Sequence, residues 1–169
     1  MKKTSVVIIL IVAIVLANCT SPETPYHIGE RNKAIVEKYI QAVMSGDQKT
    51  VSELLAEDFK GYGPNRSDST NKAQEIANFI TNWNERFKTI DYQPDYSLTN
   101  TVNDGRLMGD WVMSWGTLKA TYKNGRAPVT FSIHTVFRLK DGKINLIRNY
   151  WNSADIMKQQ GFKFVPPEE

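Results

Sequence analysis

The sequence has few of the residues that most often mark a metal site or a nucleophile. Its single cysteine, Cys19, excludes an internal disulfide. Of its two histidines, only His134 lies in the part of the chain that has the periodicity of a folded domain. A zinc site needs three or four nitrogen, sulfur or carboxylate ligands, and no second histidine or cysteine accompanies His134 there. We therefore expect neither a metal nor a cofactor.

The chain also lacks a strong charge of either sign. It has 21 basic and 18 acidic side chains, for a net charge of +3. Residues 1–18 contain Lys2, Lys3 and no acid, so a chain without them carries a net charge of +1. Nucleic-acid binding requires basic residues concentrated on one face, and the lysines are not clustered. This balance argues against a nucleic-acid partner.

No apolar run is long enough to cross a membrane. The longest, Val6–Ala17, has 12 residues, whereas a spanning helix needs about 20. It follows the positive residues Lys2 and Lys3, which is the pattern of a secretory signal peptide. Elsewhere the composition, with 41% hydrophobic and 11% aromatic residues, is typical of a globular domain.

The apolar run ends in Leu16-Ala17-Asn18-Cys19, which resembles the bacterial lipobox, although Asn18 stands where Gly, Ala or Ser is usual. The resemblance implies removal of residues 1–18, lipid attachment to Cys19, and anchoring to a bacterial membrane outside the cytoplasm. Two alternatives stay open: ordinary signal cleavage near Ala17, and an uncleaved signal anchor. Residues 19–29 contain two prolines and no periodicity, and we interpret them as a tether.

The remaining chain predicts one α+β domain over residues 30–162, followed by a tail over residues 163–169. Apolar spacing predicts helices over 30–45, 47–56 and 70–87, with a short helix over 153–161. Strands are expected over 59–62, 90–99, 107–122, 129–139 and 143–151, and Asn124-Gly125 and Asp141-Gly142 are hairpin signals. The predicted fold has three N-terminal helices packed on a curved antiparallel sheet, with a short C-terminal helix.

Two sets of motifs carry a family resemblance. The run from Tyr39 to Asp47, followed by Leu54-Leu55-Ala56-Glu57-Asp58, resembles the first-helix signature of the nuclear transport factor 2-like superfamily. Asp141-Gly142-Lys143-Ile144, with Tyr150-Trp151-Asn152 and Gln160-Gly161, is similar to the C-terminal pattern of its SnoaL-like branch. The resemblance implies a cone-shaped fold with a pocket between the helices and the concave sheet face, the kind of site that binds small molecules.

The same resemblance offers ketosteroid isomerase as a mechanistic template. That enzyme uses a carboxylate base, with a tyrosine and a protonated aspartic acid as the oxyanion hole. Tyr39 falls at the position of the tyrosine, but Gly63 and Thr135 fall where the base and the second acid are expected. Loss of the base removes a contribution of about 10²–10⁴-fold, so we exclude isomerase activity of that type.

Asp110 and His134 are the remaining catalytic candidates. Strand alternation places Asp110 on the face opposite Trp111 and Trp115, so it points outward if the aromatic face is concave, or inward if a bulge shifts the register. His134 alternates with the apolar residues of its strand, which predicts a position on the convex face. That face often forms a dimer interface in the superfamily, so a homodimer through the sheet is expected; a bulge would instead bring His134 into the pocket.

Aromatic residues are the other signal for a pocket, with ordinary core packing as the alternative. The residues expected to line the pocket are Tyr39, Tyr62, Trp83, Trp111, Trp115, Thr135 and Tyr150. The preferred hypothesis is a lipid-anchored domain that binds a small apolar or aromatic ligand without catalysis. The alternatives are a SnoaL-like isomerase, cyclase or dehydratase that uses Asp110 or His134 with a tyrosine, and a protein-interaction module.

Overall fold

The computed structural model describes residues 24–165. The predicted signal peptide, Cys19 and the last four residues of the predicted tail lie outside this range. The first helix, α1, spans Pro25–Ser45 and ends at Gly46, whose φ of 76° closes it. It begins five residues before the predicted start, because Thr24 accepts a hydrogen bond from the His27 amide and Pro25 suits the first helical position. Residues 25–29 are therefore helical, which corrects their assignment to the tether.

The other helices begin at side-chain caps. In α2, Gln48–Leu54, the Asp47 carboxylate accepts hydrogen bonds from the Thr50 amide and hydroxyl. In α3, Lys72–Thr81, Asn71 and Gln74 cap each other's backbone amides. A π-helical turn, Asn82–Arg86, continues α3 to the next strand. The last helix, α4, spans Ser153–Gln159 and is capped by Asn152, as the sequence predicted.

Six strands form one curved sheet. They are β1 Leu55–Tyr62, β2 Ser69–Asn71, β3 Phe87–Val102, β4 Gly109–Tyr122, β5 Val129–Lys140 and β6 Lys143–Trp151. Their order is β2-β1-β6-β5-β4-β3, and every neighbouring pair is antiparallel except β1 with β6. The predicted α+β architecture is confirmed, with one additional short strand, β2, at the predicted start of the third helix.

The two predicted hairpins have different outcomes. Asp141 and Gly142 both have positive φ, 51° and 72°, and join β5 to β6 as a two-residue turn. The prediction of a similar turn at Asn124-Gly125 is wrong, because six residues, 123–128, separate β4 from β5. A contact with another segment holds this loop: the Lys123 ammonium donates to the Trp83 and Asn84 carbonyls within the π-helical turn.

The helices cover one face of the sheet, and the core lies between them. On β4 the covered face presents small side chains, including Val112, Ser114 and Ala120, all buried. Trp111 and Trp115 take the opposite, outer face. The tryptophans are therefore not on the concave side, because only small residues leave α1 room to approach the strand. Among residues 24–165, no helix combines the length and apolar character of a membrane span.

Candidate functional site

A cavity of about 620 Å³ lies between the helices and the covered face of the sheet. Its walls come from the last two turns of α1, from the four strands β3–β6 and from α4. Most of the wall is apolar, including Ile40, Val43, Phe87, Ile90, Leu118, Phe131, Ile133, Ile147, Trp151 and Ile156. Volume and lining are those of a site for a small, largely apolar molecule.

Tyr39 contributes the most buried hydroxyl of the cavity. Its side chain is only 8% exposed, and its ring meets Phe137 edge-on at 6.1 Å. The hydroxyl has no hydrogen-bond partner among the described residues. In this part of the chain, however, every polar side-chain atom that is fully shielded from solvent does have a partner. The Tyr39 hydroxyl therefore opens into the cavity. Burial, and secondarily the neighbouring Glu75 carboxylate, raise the pKa of Tyr39 far above its ordinary value of 10, so the group stays a hydroxyl.

Glu75 is the one carboxylate among the described lining residues. It lies in the first turn of α3, and its Oε2 accepts a hydrogen bond of 2.7 Å from the Thr70 hydroxyl. Gly61 on β1 makes room for it, since a Cβ built there would lie 2.9 Å from Glu75 Oε2 and closer still to Thr70 Oγ1. Sequence reasoning missed Glu75, because an acid in the first turn of a helix is usually explained by the helix dipole.

A neutral polar pair faces the cavity from the sheet. Thr135 on β5 and Asn149 on β6 are directly opposite each other, and the Thr135 hydroxyl donates to Asn149 Oδ1 at 2.8 Å. The two side-chain N–H donors of Asn149 have no partner in the described chain. With Tyr39 and Glu75, this pair forms what we call the polar floor: Tyr39, Glu75, Thr135 and Asn149.

Two arginines also line the cavity. Arg86, at the end of the π-helical turn, and Arg126, in the loop between β4 and β5, are exposed lining residues that mark the mouth. Tyr122 lies beside them; burial raises its pKa, and the Arg86 guanidinium opposes this shift. A second cavity of about 520 Å³ adjoins the first between α1 and β3, and the two share Ile40, Met44 and Tyr92.

Of the seven residues predicted to line the pocket, the structure places Tyr39 and Thr135 in this cavity. The prediction is wrong in placing Tyr62, Trp83, Trp111, Trp115 and Tyr150 there. Trp83 packs under the end of α1 and donates to the Val43 carbonyl at 2.8 Å. Tyr62 lies under the Arg148 guanidinium. Trp111, Trp115 and Tyr150 lie on the outer face. Because α1 packs against the face that carries the small side chains, strand alternation turns these three rings to the other side of the sheet.

The outer face carries a row of stacked rings, which we call the aromatic ladder: Tyr96, Trp115, His134 and Tyr150. Their successive centroid distances are 4.9, 4.3 and 5.9 Å across strands β3 to β6. His134 Nδ1 also lies 3.1 Å from the Ser114 carbonyl oxygen. The predicted outward position of His134 is therefore what the structure shows, and this histidine does not face the cavity.

Asp110 is also remote from the cavity. It shares the covered face with Val112, but it lies at the start of β4, eight residues from the lining residue Leu118. Its carboxylate accepts a hydrogen bond of 2.7 Å from Thr101 on β3. Residues 24–165 contain no cluster of three or more potential metal ligands. The two predicted catalytic candidates, Asp110 and His134, are thus not brought together with the cavity tyrosine.

Comparison with known proteins agrees with this architecture. The model of the SnoaL-like domain family matches residues 36–147, more than half of the chain. An LEH-like epoxide hydrolase from M. tuberculosis superposes with a TM-score of 0.62 at 19% identity, covering 79% of this chain and 91% of its own. A candidate SnoaL-like polyketide cyclase from Jannaschia sp. CCS1 superposes with a TM-score of 0.64 at 16% identity, covering 83% of this chain and 96% of its own. For a candidate polyketide cyclase from Xanthomonas campestris pv. campestris, the TM-score is 0.60 at 18% identity, and the match covers 78% of this chain and 97% of its own. No curated protein sequence matches significantly.

Proposed function

Because the chain belongs to the SnoaL-like domain family, we propose that its domain binds a small, largely apolar or aromatic molecule in the cavity without converting it. The observation that carries this proposal is the cavity of about 620 Å³, with apolar walls and an unpaired Tyr39 hydroxyl. An unpaired buried polar group costs free energy unless a partner satisfies it, and a ligand in the cavity supplies that partner.

The absence of conversion is supported by the positions of the predicted catalytic residues. Asp110 and His134 lie outside the cavity. Gly63, which falls where the template enzyme has its base, has no side chain to act as one. Thr135 is in the cavity, but its hydroxyl is engaged with Asn149. None of these residues transfers a proton to or from a molecule bound above Tyr39.

We propose further that the domain works outside the cytoplasm, attached through a lipid on Cys19. The support comes from the sequence: an apolar run of signal-peptide length ends at a lipobox-like cysteine. Five residues separate Cys19 from the start of α1, and the cavity-lining residues of α1 lie in its last two turns. A 21-residue helix is about 30 Å long, so the cavity lies at the end of α1 remote from the anchor.

Native mass spectrometry of the full-length protein, released from detergent micelles, tests the binding proposal. We expect a co-purified small molecule on the wild type and its loss from Leu118→Trp, which fills the cavity. Thr117→Trp, on the outer face of the same strand, is the matched control and retains the molecule. A wild type with an empty cavity, or equal occupancy of the two tryptophan variants, contradicts the proposal.

Labelling with a palmitate analogue in a bacterial host tests the anchor. We expect label on the wild type and none on Cys19→Ala, because this variant removes the thiol that receives the diacylglycerol. Fractionation then shows whether the variant leaves the membrane. Equal labelling of the two proteins excludes lipid attachment at Cys19.

A second candidate function is catalysis, and the observation that favours it is the position of Glu75 near Tyr39 in the cavity. A carboxylate can accept a proton from a bound molecule, and a hydroxyl that stays protonated can donate a hydrogen bond to the negative charge that develops on it. This candidate keeps the predicted enzyme classes, isomerase, cyclase or dehydratase, but replaces Asp110 and His134 by Glu75. Liquid chromatography with fragmentation mass spectrometry of the molecule recovered from wild type and Glu75→Gln distinguishes the two, because it also separates isomers: chemically different molecules favour catalysis, and identical ones favour binding alone.

A third proposal concerns the aromatic ladder, which we propose packs against a second copy of this chain to form a homodimer. Tyr96 and Leu98 on this outer face are 59% and 55% exposed. Exposed apolar side chains that adjoin one another on a sheet often mark a protein interface. This proposal is independent of the cavity and is tested separately below.

A further inference from the structure

The charge on the polar floor is uncompensated. Glu75 makes no ion pair with any described residue, and its one hydrogen bond, from Thr70, engages Oε2 only. The nearest arginine in the cavity lining along the same helix is Arg86, eleven residues later. That is roughly 16 Å along the helix axis. Glu75 Oε1 is thus left free in a largely apolar cavity.

The hydroxyl of Tyr39 is the second group without a partner. More than nine-tenths of this residue is buried, and its hydroxyl opens into the same cavity. Glu75 and Tyr39 both line this cavity, and the Glu75 charge contributes to the raised pKa of Tyr39. Two unsatisfied acceptor oxygens, one of them charged, therefore face the same space.

We propose that the polar floor binds the ammonium group of an apolar amine, a proposal that rests on the ligand-binding function above. A half-buried carboxylate gains most from a partner that carries the opposite charge and donates hydrogen bonds. An ammonium group has three N–H donors and no acceptor. Glu75 Oε1, the Tyr39 hydroxyl oxygen and the Thr135 hydroxyl oxygen are acceptors for these three donors. The apolar part of the amine then lies along the walls toward the mouth.

The cationic mouth does not oppose this arrangement. Arg86 and Arg126 are exposed, and interactions between solvent-exposed charges beyond about 10 Å are largely screened at 0.1 M salt. At the floor, by contrast, the charge of Glu75 lies in a largely apolar environment. The Glu75 carboxylate, rather than the exposed arginines, therefore determines which ligand charge the cavity prefers.

Isothermal titration of full-length protein in detergent, with three probes of similar size, tests the ligand class. The probes are 2-(1-naphthyl)ethylamine, 2-(1-naphthyl)ethanol and 1-naphthylacetate, which differ in the charge of one end. We expect the amine to bind about tenfold more tightly than the alcohol, because hydrogen bonds between charged groups are stronger than those of a neutral hydroxyl. The carboxylate is expected to bind most weakly.

Glu75→Gln is the decisive variant, because the amide keeps an oxygen for the Thr70 hydroxyl and removes only the charge. We expect it to lose the preference for the amine and to bind the alcohol as the wild type does. Glu85→Gln, an exposed acid of the π-helical turn, is the matched control and retains the preference. Circular dichroism and thermal unfolding of each variant separate a change in affinity from a failure to fold.

Each outcome has one interpretation. Equal or tighter binding of the alcohol or the carboxylate to the wild type overturns the ammonium proposal and leaves the cavity as a binding site. A preference for the amine that persists in Glu75→Gln overturns the role of Glu75. If no probe binds the folded wild type and its cavity also carries no co-purified molecule, the ligand-binding function itself fails.

Discussion

The carboxylate of Glu75 occupies the space that a side chain on Gly61 would need. A Cβ on Gly61 would lie 2.9 Å from Glu75 Oε2 and would collide with Thr70 Oγ1. The glycine on β1 therefore determines where the acid supplied by α3 is placed. The strand β1 and the helix α3 are separated along the chain only by the short β2, and together they position this polar group of the cavity.

Gly61→Ala is therefore expected to destabilise the domain. Overpacking of this kind typically costs about 1–3 kcal/mol, and here it also displaces the Thr70–Glu75 hydrogen bond. The cost should be smaller in a Thr70→Ala background, because that substitution removes the oxygen closest to the new methyl group. Urea unfolding of the four proteins in this cycle measures the coupling. Additive costs would show that the close contact does not limit position 61.

Tyr39→Phe is expected to leave stability at neutral pH nearly unchanged, because the hydroxyl it removes makes no hydrogen bond within the described residues. Alkaline pH should separate the two proteins. The pKa of Tyr39 is raised by folding, so above the ordinary pKa of about 10 the unfolded chain loses this proton while the folded chain keeps it, and the free energy of unfolding falls as pH rises.

Urea unfolding at pH 7 and pH 11 checks this prediction. The free energy of unfolding should fall more steeply with pH in the wild type than in Tyr39→Phe. Tyr122, whose pKa burial also raises, accounts for a slope that remains in the variant. Parallel pH profiles would contradict the buried, unpaired state of the Tyr39 hydroxyl.

Asn71→Ala is expected to weaken the start of α3 and with it the placement of Glu75. Asn71 and Gln74 form a capping box in which each side chain accepts from the backbone of the other. Loss of such a cap costs about 0.5–2 kcal/mol. Asn78→Ala, an exposed position in the same helix, is the control and should be neutral or slightly stabilising, because alanine has the highest helix propensity. Thermal unfolding distinguishes the two variants, and similar melting temperatures would contradict the prediction.

The homodimer proposal predicts that charge on the outer face separates the copies. Tyr96→Lys combined with Leu98→Lys should convert a dimer to a monomer, because Tyr96 in the aromatic ladder and Leu98 beside it are both exposed and neither contributes to the core. Met157→Lys combined with Met108→Lys adds the same charge at other exposed positions and should leave the mass unchanged. Light scattering after size exclusion in detergent gives the protein mass. A monomeric wild type excludes the dimer.

Local signals in the sequence were sufficient for the helices and most strands. Asp47 and Asn152 were recognisable caps because their side chains reach amides only three residues away. Asp141-Gly142 formed the predicted two-residue turn, since both residues tolerate positive φ. Asn124-Gly125 did not, because Lys123 is bound to carbonyls some 40 residues earlier in the chain. The conformation at Asp141-Gly142 depends on the two turn residues themselves, whereas the conformation at Asn124-Gly125 depends on a contact with a distant segment.

The candidate site was harder to predict than the fold. Alternation correctly separated Trp115 from Ser114, and His134 from Thr135, onto opposite faces. It did not reveal that α1 covers the face with the small residues, and so the outer-face rings Trp111, Trp115 and Tyr150 were assigned to the cavity and lie outside it. Glu75 was missed for a related reason: its importance depends on Gly61 and Tyr39, which approach it only in the folded chain.

The sequence by itself determined the order and type of the elements, the resemblance to the SnoaL-like family, and the prediction of an anchor at Cys19. These properties depend on residues that are adjacent or one turn apart, where spacing and side-chain chemistry act directly. Only the tertiary structure decided which face of the sheet the helices cover and which groups meet in the cavity. Packing of α1 against the small side chains of β4 makes that choice, and it brings Tyr39 and Glu75 to one polar floor while it leaves the tryptophans of β4 and His134 outside.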